Sequence, residues 1–561
     1  MRPMNMKNET FKTLFLALMV AATLLLTPAS FGAVPGLMGT TFNLTAQPAY
    51  LNQPDGEAVY SWGYGCLNTN GLTPLPTGPA AMPGANCPSM QVPGPTLIVT
   101  EGQSITVNLT NQLPNAAGNT SILFPGLTLT STTCSAGAVQ GLLACEAAPG
   151  GTVSYTFTAS APGTHAYYSG TQGDLQIEMG LYGAIIVLPA AVPANCNSGY
   201  HTLNGTARGT WGETDYRLAH AAYDHPGSCY DREYLFQWAE MDSRIHRQAA
   251  AQVAALDGCT AGAVGCSLSV QTEPYHPAYF LINGRSKPDL MDPNFAGEYP
   301  HQPYNANPHM HMGELTLIRT IGQGRWQHPF HEHANHVRIL ARDGNMVLSG
   351  STTNINYSSG LTTDAGVAAR GLAGSLMFNT DTTPGEAFDG IFYFTGRGLN
   401  WDPYGHRPVS SSGDPLATLG CTPDVNGYNS SATSAINFFE WCQDHNKPVQ
   451  VNPFGDVAAG GPVTLPDPNV FTNGPWYGGT PYLGPDASLR ASMPACAGTP
   501  NANCTTLNPA NLQLNPANER GWAFMWHSHN EREITTNNVF PGGMLMMMLV
   551  DSREFVINES Q

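Results

Sequence analysis

The sequence predicts an all-β protein built from β-sandwiches. The chain has 561 residues, of which 60 are Gly and 45 are Pro. These turn-forming residues separate many short β-rich runs, which is the pattern of sandwich strands. Charged residues make up only 11% of the chain, and the net charge is −18. This acidic composition favours a soluble protein, and it argues against nucleic-acid binding, which requires a basic surface.

The first 33 residues are predicted to be a secretory signal peptide. Arg2 and Lys7 precede an apolar run from Phe11 to Leu26, and small residues follow up to Ala33. This order is typical of export signals. The run is short for a membrane span, and no later segment qualifies. We therefore expect an exported protein, periplasmic or extracellular, without a stable membrane span. An uncleaved anchor is the alternative.

All twelve cysteines follow the predicted signal peptide. An even number in an exported chain indicates disulfide bonds, and bonds between sequential neighbours would each close a local loop. A cysteine metal cluster is disfavoured, because no C-x-x-C occurs and no Cys lies in a histidine motif. The predicted pairs are Cys66–Cys87, Cys134–Cys145, Cys196–Cys229, Cys259–Cys266, Cys421–Cys442 and Cys496–Cys504.

A histidine-rich segment, HPFHEHANH, occupies residues 328–336. Side chains alternate along a strand, so His331 and His333 would share one face. Glu332 would face the other way, and we interpret it as a structural residue. The segment therefore offers two imidazoles to one site.

A second motif, His527-Ser528-His529, lies near the C-terminus. By the same alternation its two imidazoles share one face and Ser528 takes the other. A cysteine in the middle could serve a blue copper site, which requires a thiolate together with two histidines. The hydroxyl of Ser528 cannot replace that thiolate.

These motifs resemble the terminal cupredoxin domain of multicopper oxidases, where the patterns are close to HPFHLHGHxFxVLARDG and HCHxxxH…GM. This chain continues with VRILARDG at 337–344 after the first motif, and Gly543-Met544 follows the second. Three more segments stand in the family's order: FLING at 280–284, GELTLIR at 313–319 and TPGEAFD at 383–389.

The N-terminal half is similar to a first cupredoxin domain, with PGPTLIV at 93–99 and GLYGAIIV at 180–187. The resemblance implies two cupredoxin-like Greek-key β-sandwich domains. The expected division is a signal peptide at 1–33, a first domain at 34–190, a linker at 191–228 and a second domain at 229–555.

A large insertion is expected in the second domain. About 530 mature residues are too many for two plain cupredoxin domains. The excess lies at about 395–519, a Gly/Pro/Cys-rich stretch that ends just before the strand of His527. Because so long a structureless stretch would be unusual, we expect a disulfide-stapled cap or substrate-side lobe.

Several copper ligands of the family are missing. In the family, the first domain supplies histidines through HWHG and HSH, but here LFPG stands at 123–126 and Tyr168-Ser169-Gly170 at the second position. The resemblance therefore implies no complete three-copper cluster. At the blue copper site only His328 is kept, because Ser528 replaces the cysteine and Glu533 occupies the place of the second histidine.

The remaining histidines predict one copper ion, because neutral imidazole nitrogens suit copper better than hard cations. An apo site without metal is the alternative. We interpret Glu531 and Glu533 as a solvated loop face, with an acid–base or His-supporting role as the alternative. The predicted ligands are His331, His333, His527 and His529. Weaker candidates are His328, His336, His309 and His311.

Three functions remain open. The first is a copper-dependent oxidoreductase that differs from a standard laccase, acting on a small molecule or a metal ion. The second is a non-catalytic extracellular copper-binding protein, and the third is a structural or partner-binding cupredoxin pair. We favour the first, because clustered histidines in a cleft beside a large insertion are typical of a reactive site. An oligomer or partner chain could complete the site.

Overall fold

The predicted all-β fold class is confirmed by the computed structural model, in which strands far outnumber helices among the described residues. The predicted signal peptide and nearly all of the predicted insertion lie outside the described residues. The described residues are 34–75, 86–130, 134–196, 213–311, 314–334, 336–348, 372–393, 422, 479–482, 521–551, 557 and 559.

The first half forms two sheets that face each other as a sandwich. Its strands are β1 (Gly36–Met38), β2 (Thr41–Asn52), β3 (Ala58–Asn68), β4 (Thr73–Leu75), β5 (Leu97–Thr100), β6 (Ser104–Asn111), β7 (Val139–Gln140), β8 (Cys145–Glu146), β9 (Thr152–Thr158), β10 (Gly163–Tyr168) and β11 (Tyr182–Leu188), with a short helix α1 (Gly173–Gln176). One sheet has the order β10-β11-β5-β1-β4 and the other β3-β2-β6-β9. In β9, Val153, Tyr155 and Phe157 alternate inward, as expected for sandwich strands.

The second half repeats this arrangement with larger sheets. Its strands are β12 (Arg232–Met241), β13 (Tyr279–Ile282), β14 (His309–His311), β15 (Leu315–Gly322), β16 (His328–Glu332), β17 (Val337–Arg342), β18 (Asn345–Met346), β19 (Leu376–Met377), β20 (Asn379–Thr382), β21 (Ala387–Tyr393), β22 (Gly479–Tyr482), β23 (Gly521–Ser528) and β24 (Leu545–Asp551), with helix α2 (Ser243–Ala255) between β12 and β13. One sheet has the order β13-β12-β15-β21-β17-β18, and the other β14-β24-β23-β16-β20. The short 3-10 helices are Asn115–Ala117, Ala194–Cys196, Pro226–Ser228 and Asp289–Met291.

Strand pairing follows the same scheme in both halves. Strand β2 is antiparallel to β3 and parallel to β6, which is antiparallel to β9. Strand β12 has the same relations to β13, β15 and β21. Parallel neighbours in a sheet require crossover connections rather than tight hairpins. The repeat therefore agrees with the two cupredoxin-like sandwiches that the sequence predicts.

Helix α2 was not predicted from the sequence. It begins after Asp242, whose side chain accepts a hydrogen bond from the backbone N–H of Arg244, an ordinary helix start. Its buried residues Ile245 and Ala249 join the hydrophobic core of the first half. Its His246 contacts the carbonyl oxygen of Tyr60, with a 2.6 Å separation from Nδ1. The helix thus lies between two strands of one sandwich in sequence but packs into the other.

Four of the six predicted disulfide bonds are present among the described residues, each between sequential cysteines. The other two predicted pairs lie outside the described residues. The observed bonds are Cys66–Cys87, Cys134–Cys145, Cys196–Cys229 and Cys259–Cys266.

One piece of the predicted insertion contributes to the second sandwich. Strand β22 pairs antiparallel with β23, with Thr480 opposite Ala523. This part of the insertion therefore extends the sheet that carries His527. Within the described ranges, no helix is both long and apolar enough to cross a membrane.

Candidate metal centre

The two histidine motifs lie on neighbouring strands. Strands β16 and β23 are antiparallel, with His331 directly opposite His527 and Phe330 opposite Ser528. Phe330 and Ser528 are fully buried, whereas His331 and His527 are partly exposed. Alternation along each strand therefore separates a core-facing set of side chains from a histidine-bearing face.

Three imidazoles converge on that face. Nitrogen atoms of His331, His333 and His527 all lie within 4.8 Å of one another. One pair joins Nε2 of His333 to Nε2 of His527, 3.1 Å apart. His529 is exposed, and its ring centroid lies 4.9 Å from that of His331. The structure thus brings nitrogen atoms of three predicted ligands together, and the ring of the fourth, His529, lies beside them.

His333 and His529 each lie one residue beyond the end of their strand, so backbone bonds outside the strands hold them. The N–H of His529 donates to the carbonyl oxygen of Pro329 at 2.8 Å. The N–H of His333 donates to the carbonyl oxygen of Met525 at 3.3 Å. Each bond crosses between the two motif strands, so both outer histidines are fixed relative to the opposite strand.

The cluster favours neutral imidazoles. Burial, followed by the neighbouring His333, His527 and His529, lowers the pKa of His331 to about 4. Burial also lowers the pKa of His527. At neutral pH both rings therefore keep a lone pair that can coordinate a metal.

The donor set fits a copper ion. Imidazole nitrogens are common ligands for copper, and the group contains no hard oxygen donor. Nitrogen ligands about 2 Å from a shared ion are roughly 3–4 Å apart, and the spacing of these rings is close to that. The residues that would hold the ion are His331, His333 and His527, with His529 as the fourth.

His328 faces the core and contacts carboxylates instead. Its Nε2 lies 2.8 Å from Glu240 and its Nδ1 lies 2.9 Å from Glu533. Burial alone would lower the pKa of His328, but hydrogen bonds to these two carboxylates raise it to about 9. Both ring nitrogens are engaged, so we leave His328 out of the proposed copper site.

His336 is partly exposed and comes just before β17. Its ring packs against Phe378, with 5.3 Å between the centroids. Phe378 also contacts His331, at 6.0 Å. His336 therefore borders the site through an aromatic neighbour, and we do not include it among the ligands.

His309 and His311 lie on β14, where acidic groups surround them. Nδ1 of His309 is 2.6 Å from the carboxylate of Asp551, and Nε2 of His311 is 2.5 Å from that of Glu213. Met310 between them is fully buried in the core. A carboxylate thus engages one nitrogen of each ring, and neither ring lies among the clustered histidines, so we leave both out of the copper site.

The expectation of a solvated Glu533 was wrong, whereas Glu531 is exposed as expected. Glu533 is only 1% exposed, and it accepts a hydrogen bond from the hydroxyl of Ser528 at 2.5 Å. The chain turns back after β23, which brings Glu533 beneath the strand end. The spacing of residues in the sequence did not predict that this turn would bury Glu533.

Glu240 is a residue that we missed in the sequence. It lies in β12, all of whose residues are buried, and is itself 3% exposed. The sequence did contain a signal for it: a carboxylate in a strand that is expected to be buried requires a polar partner. That partner, His328, is 88 residues away.

The first half has the same strand contact without histidines. Leu123 and Tyr168 form an isolated antiparallel bridge, and the N–H of Leu123 donates to the carbonyl oxygen of Tyr168 at 2.7 Å. These residues belong to the segments that stand where the family has HWHG and HSH. The nearby His165 is 5% exposed and packs against Gly126 and Gly344.

Comparisons with known proteins agree with this architecture. Residues 84–191 match the profile of the family described as "Multicopper oxidase". Over 97 residues the chain is 39% identical to an L-ascorbate oxidase of Brassica rapa subsp. pekinensis, covering 17% of this chain and 16% of that one. Over 116 residues it is 35% identical to Laccase-3 of Botryotinia fuckeliana, covering 20% and 24%. The matches therefore span less than a quarter of these relatives.

Among solved structures, the blue copper oxidase of Nitrosomonas europaea aligns with a TM-score of 0.42 and 13% identity, over 91% of this chain and 85% of that one. The profile match falls within the first sandwich, and the order of segments in the second half follows the pattern of the same family. Residues 84–191 of this chain are therefore similar to a domain of multicopper oxidases.

Proposed function

We propose that this chain is an exported, copper-dependent oxidoreductase that works with one copper ion at His331, His333, His527 and His529. The observation that carries the proposal is the convergence of three imidazoles, with nitrogen atoms within 4.8 Å of one another. Four disulfide bonds among the described residues support an oxidising, extracytoplasmic location.

When bound, copper would supply one-electron redox chemistry. The protein's own part is to hold the ligands neutral and open to one side. The low pKa of His331 keeps that ring from competing with a proton at neutral pH. His529 is exposed, so a small molecule or a metal ion can approach the cluster from its side.

The chain is not a standard laccase in this proposal. The segments of the first half that would complete a three-copper cluster carry Leu123 and Tyr168. At the position of the blue copper site, Ser528 is hydrogen-bonded to Glu533, and His328 is bonded on both sides to carboxylates. A four-electron oxygen reduction of the laccase type would therefore lack its ligands.

Non-catalytic copper binding is the second candidate. The partly exposed rings of His331, His333 and His527 favour it, because an ion held near the surface can be exchanged with other carriers. The two functions share the same site and differ only in turnover.

The experiment uses the protein purified from the export compartment with its disulfides intact. It is loaded with Cu(II) and dialysed, and copper is counted per chain; we expect one. Turnover of phenols, metal ions and small reductants under oxygen then separates an oxidoreductase from a carrier. Absence of copper after loading contradicts both candidates, and one copper without turnover of any reductant contradicts the enzyme.

A further inference from the structure

A polar cluster, buried except for Asn530, lies on the opposite face of the strands that carry the histidine site. We call it the Glu533 network. Its central contacts place the Glu533 carboxylate 2.9 Å from Nδ1 of His328 and 2.5 Å from the hydroxyl of Ser528. Its members are Glu240, His328, Ser528, Asn530 and Glu533.

The network joins the two sheets of the second sandwich. Glu240 belongs to β12 in one sheet, and His328 and Ser528 belong to β16 and β23 in the other. The Glu240 carboxylate also accepts from the backbone N–H groups of Arg325 and Trp326, at 2.6 and 2.9 Å. Burying two carboxylates is costly unless a cation and further hydrogen bonds compensate them, and His328 with these amides provides both.

The Glu533 carboxylate holds the chain on both sides of His529. On one side it accepts from the Ser528 hydroxyl, and on the other from the side-chain amide of Asn530 at 2.9 Å. The Ser528 hydroxyl in turn accepts from the backbone N–H of Asn530 at 3.1 Å. The residue between these two anchors is His529, the exposed member of the four predicted copper ligands.

The backbone of Glu533 reinforces the same turn. Its carbonyl oxygen accepts from the N–H of Met544 at 2.8 Å, and the carbonyl of Met544 accepts from the N–H of Ser528 at 3.0 Å. The turn 529–533 is therefore tied at both ends to the start of the final strand. Two contacts hold the turn against β16: the backbone bond from the N–H of His529 to the carbonyl oxygen of Pro329, and the side-chain contact between Glu533 and His328.

We propose that Glu533 is a positioning residue for the histidine cluster: through Ser528 and Asn530 it sets the place of His529, and through His328 it fixes this turn to the strand of His331. A position where the superfamily has a copper ligand thus acts here as an ionic tether. The copper readout of this inference rests on the proposed function, whereas its metal-free readout does not.

The metal-free test compares Glu533→Gln with Glu531→Gln, the matched change at the exposed glutamate of the same turn. We measure hydrogen exchange of the His529 and Asn530 amides by NMR, together with the ring resonances of His527 and His529. In Glu533→Gln we expect at least threefold faster exchange and shifted His529 ring signals, because a neutral amide weakens the tether. In Glu531→Gln we expect no change in amide exchange or in the His529 ring signals; only the His527 ring, which feels the charge of Glu531, should respond. Equal behaviour of the two variants would overturn the proposal.

The copper test uses the same pair of variants. Glu533→Gln should weaken Cu(II) affinity about fivefold or more and change the Cu(II) electron paramagnetic resonance signal, whereas Glu531→Gln should leave both within error. A change in stability alone would not alter the spectrum of folded, copper-loaded protein. An unaltered spectrum and affinity in Glu533→Gln count against the proposal. If wild type binds no copper, the proposed function fails and the amide and ring measurements decide the tether.

A second variant covers the case in which Glu533→Gln does not fold. Asn530→Ala removes one anchor of the turn while the contact between His328 and Glu533 remains. It should shift the His529 ring signals in the same direction but less far. Unchanged His529 signals in Asn530→Ala would contradict the tether.

Discussion

The two faces of β16 hold histidines in opposite states. On the outer face, His331 has imidazole neighbours and burial, and its pKa falls to about 4. On the inner face, three residues earlier, His328 lies between two carboxylates and its pKa rises to about 9. One ring is prepared to receive a cation, whereas the other already carries one as a proton. The neighbours of a histidine, rather than its motif, decide which of these it does.

The largest effect is expected from a substitution on the inner face of β16, where it lowers the free energy of unfolding. His328→Gln leaves Glu240 and Glu533 buried without their cation, so we expect a loss of about 3–5 kcal/mol in the free energy of unfolding. Denaturant unfolding measures it. The neutral triple variant His328→Gln/Glu240→Gln/Glu533→Gln should recover a large part of the loss.

His529→Gln, at the exposed ring on the outer face, is the control and should stay within about 0.5 kcal/mol of wild type. A loss below about 1 kcal/mol in His328→Gln would show that its charge is not what holds the two carboxylates.

The next largest effect is expected on the outer face, where a substitution lowers the affinity for Cu(II). His333→Ala removes one nitrogen from the cluster, so Cu(II) affinity should fall about a hundredfold, equivalent to about 2.7 kcal/mol. Competitive titration with a copper chelator measures it. His309→Gln, in the carboxylate-paired segment, should change affinity less than twofold. Comparable losses of Cu(II) affinity in both variants would show that clustered and carboxylate-paired histidines do not differ in copper binding.

The pH dependence of stability tests the inner face separately. A histidine whose pKa is higher in the folded chain stabilises the fold fully below its unfolded value of about 6.5 and loses that contribution as pH rises. For His328 the loss runs through pH of about 9. Between pH 7 and 9 wild type should lose on the order of 1–2 kcal/mol more than His328→Gln. Parallel stability curves for the two proteins would refute the assignment.

The smallest expected effect is spectroscopic. Ser528→Cys restores the missing thiol, yet the copper-loaded variant should show no intense blue absorption band, because Glu533 still occupies the place of the second histidine. Wild type should be nearly colourless as well. A strong blue band in the variant would mean that the inner face can still become a copper site.

The sequence predicted the parts of the molecule that follow from local pattern. Strand alternation correctly predicted that His331 and Glu332 lie on opposite faces of the same strand. The pairing of sequential cysteines correctly predicted four disulfide bonds. The sequence did not predict the contact of His328 with Glu240, because those residues meet only when two sheets stack. The prediction for Glu533 was wrong for the same reason. Whether the turn after β23 packs against the core depends on residues that are distant in sequence.

Helix α2 makes the two sandwiches interdependent. It is encoded within the second half, yet Ile245 and Ala249 complete the apolar interior of the first. A fragment ending near residue 190 would lack these side chains and would present an unfilled groove to water. The two halves are therefore not interchangeable modules: neither could be exchanged for a relative's domain without carrying this helix or its replacement along with it.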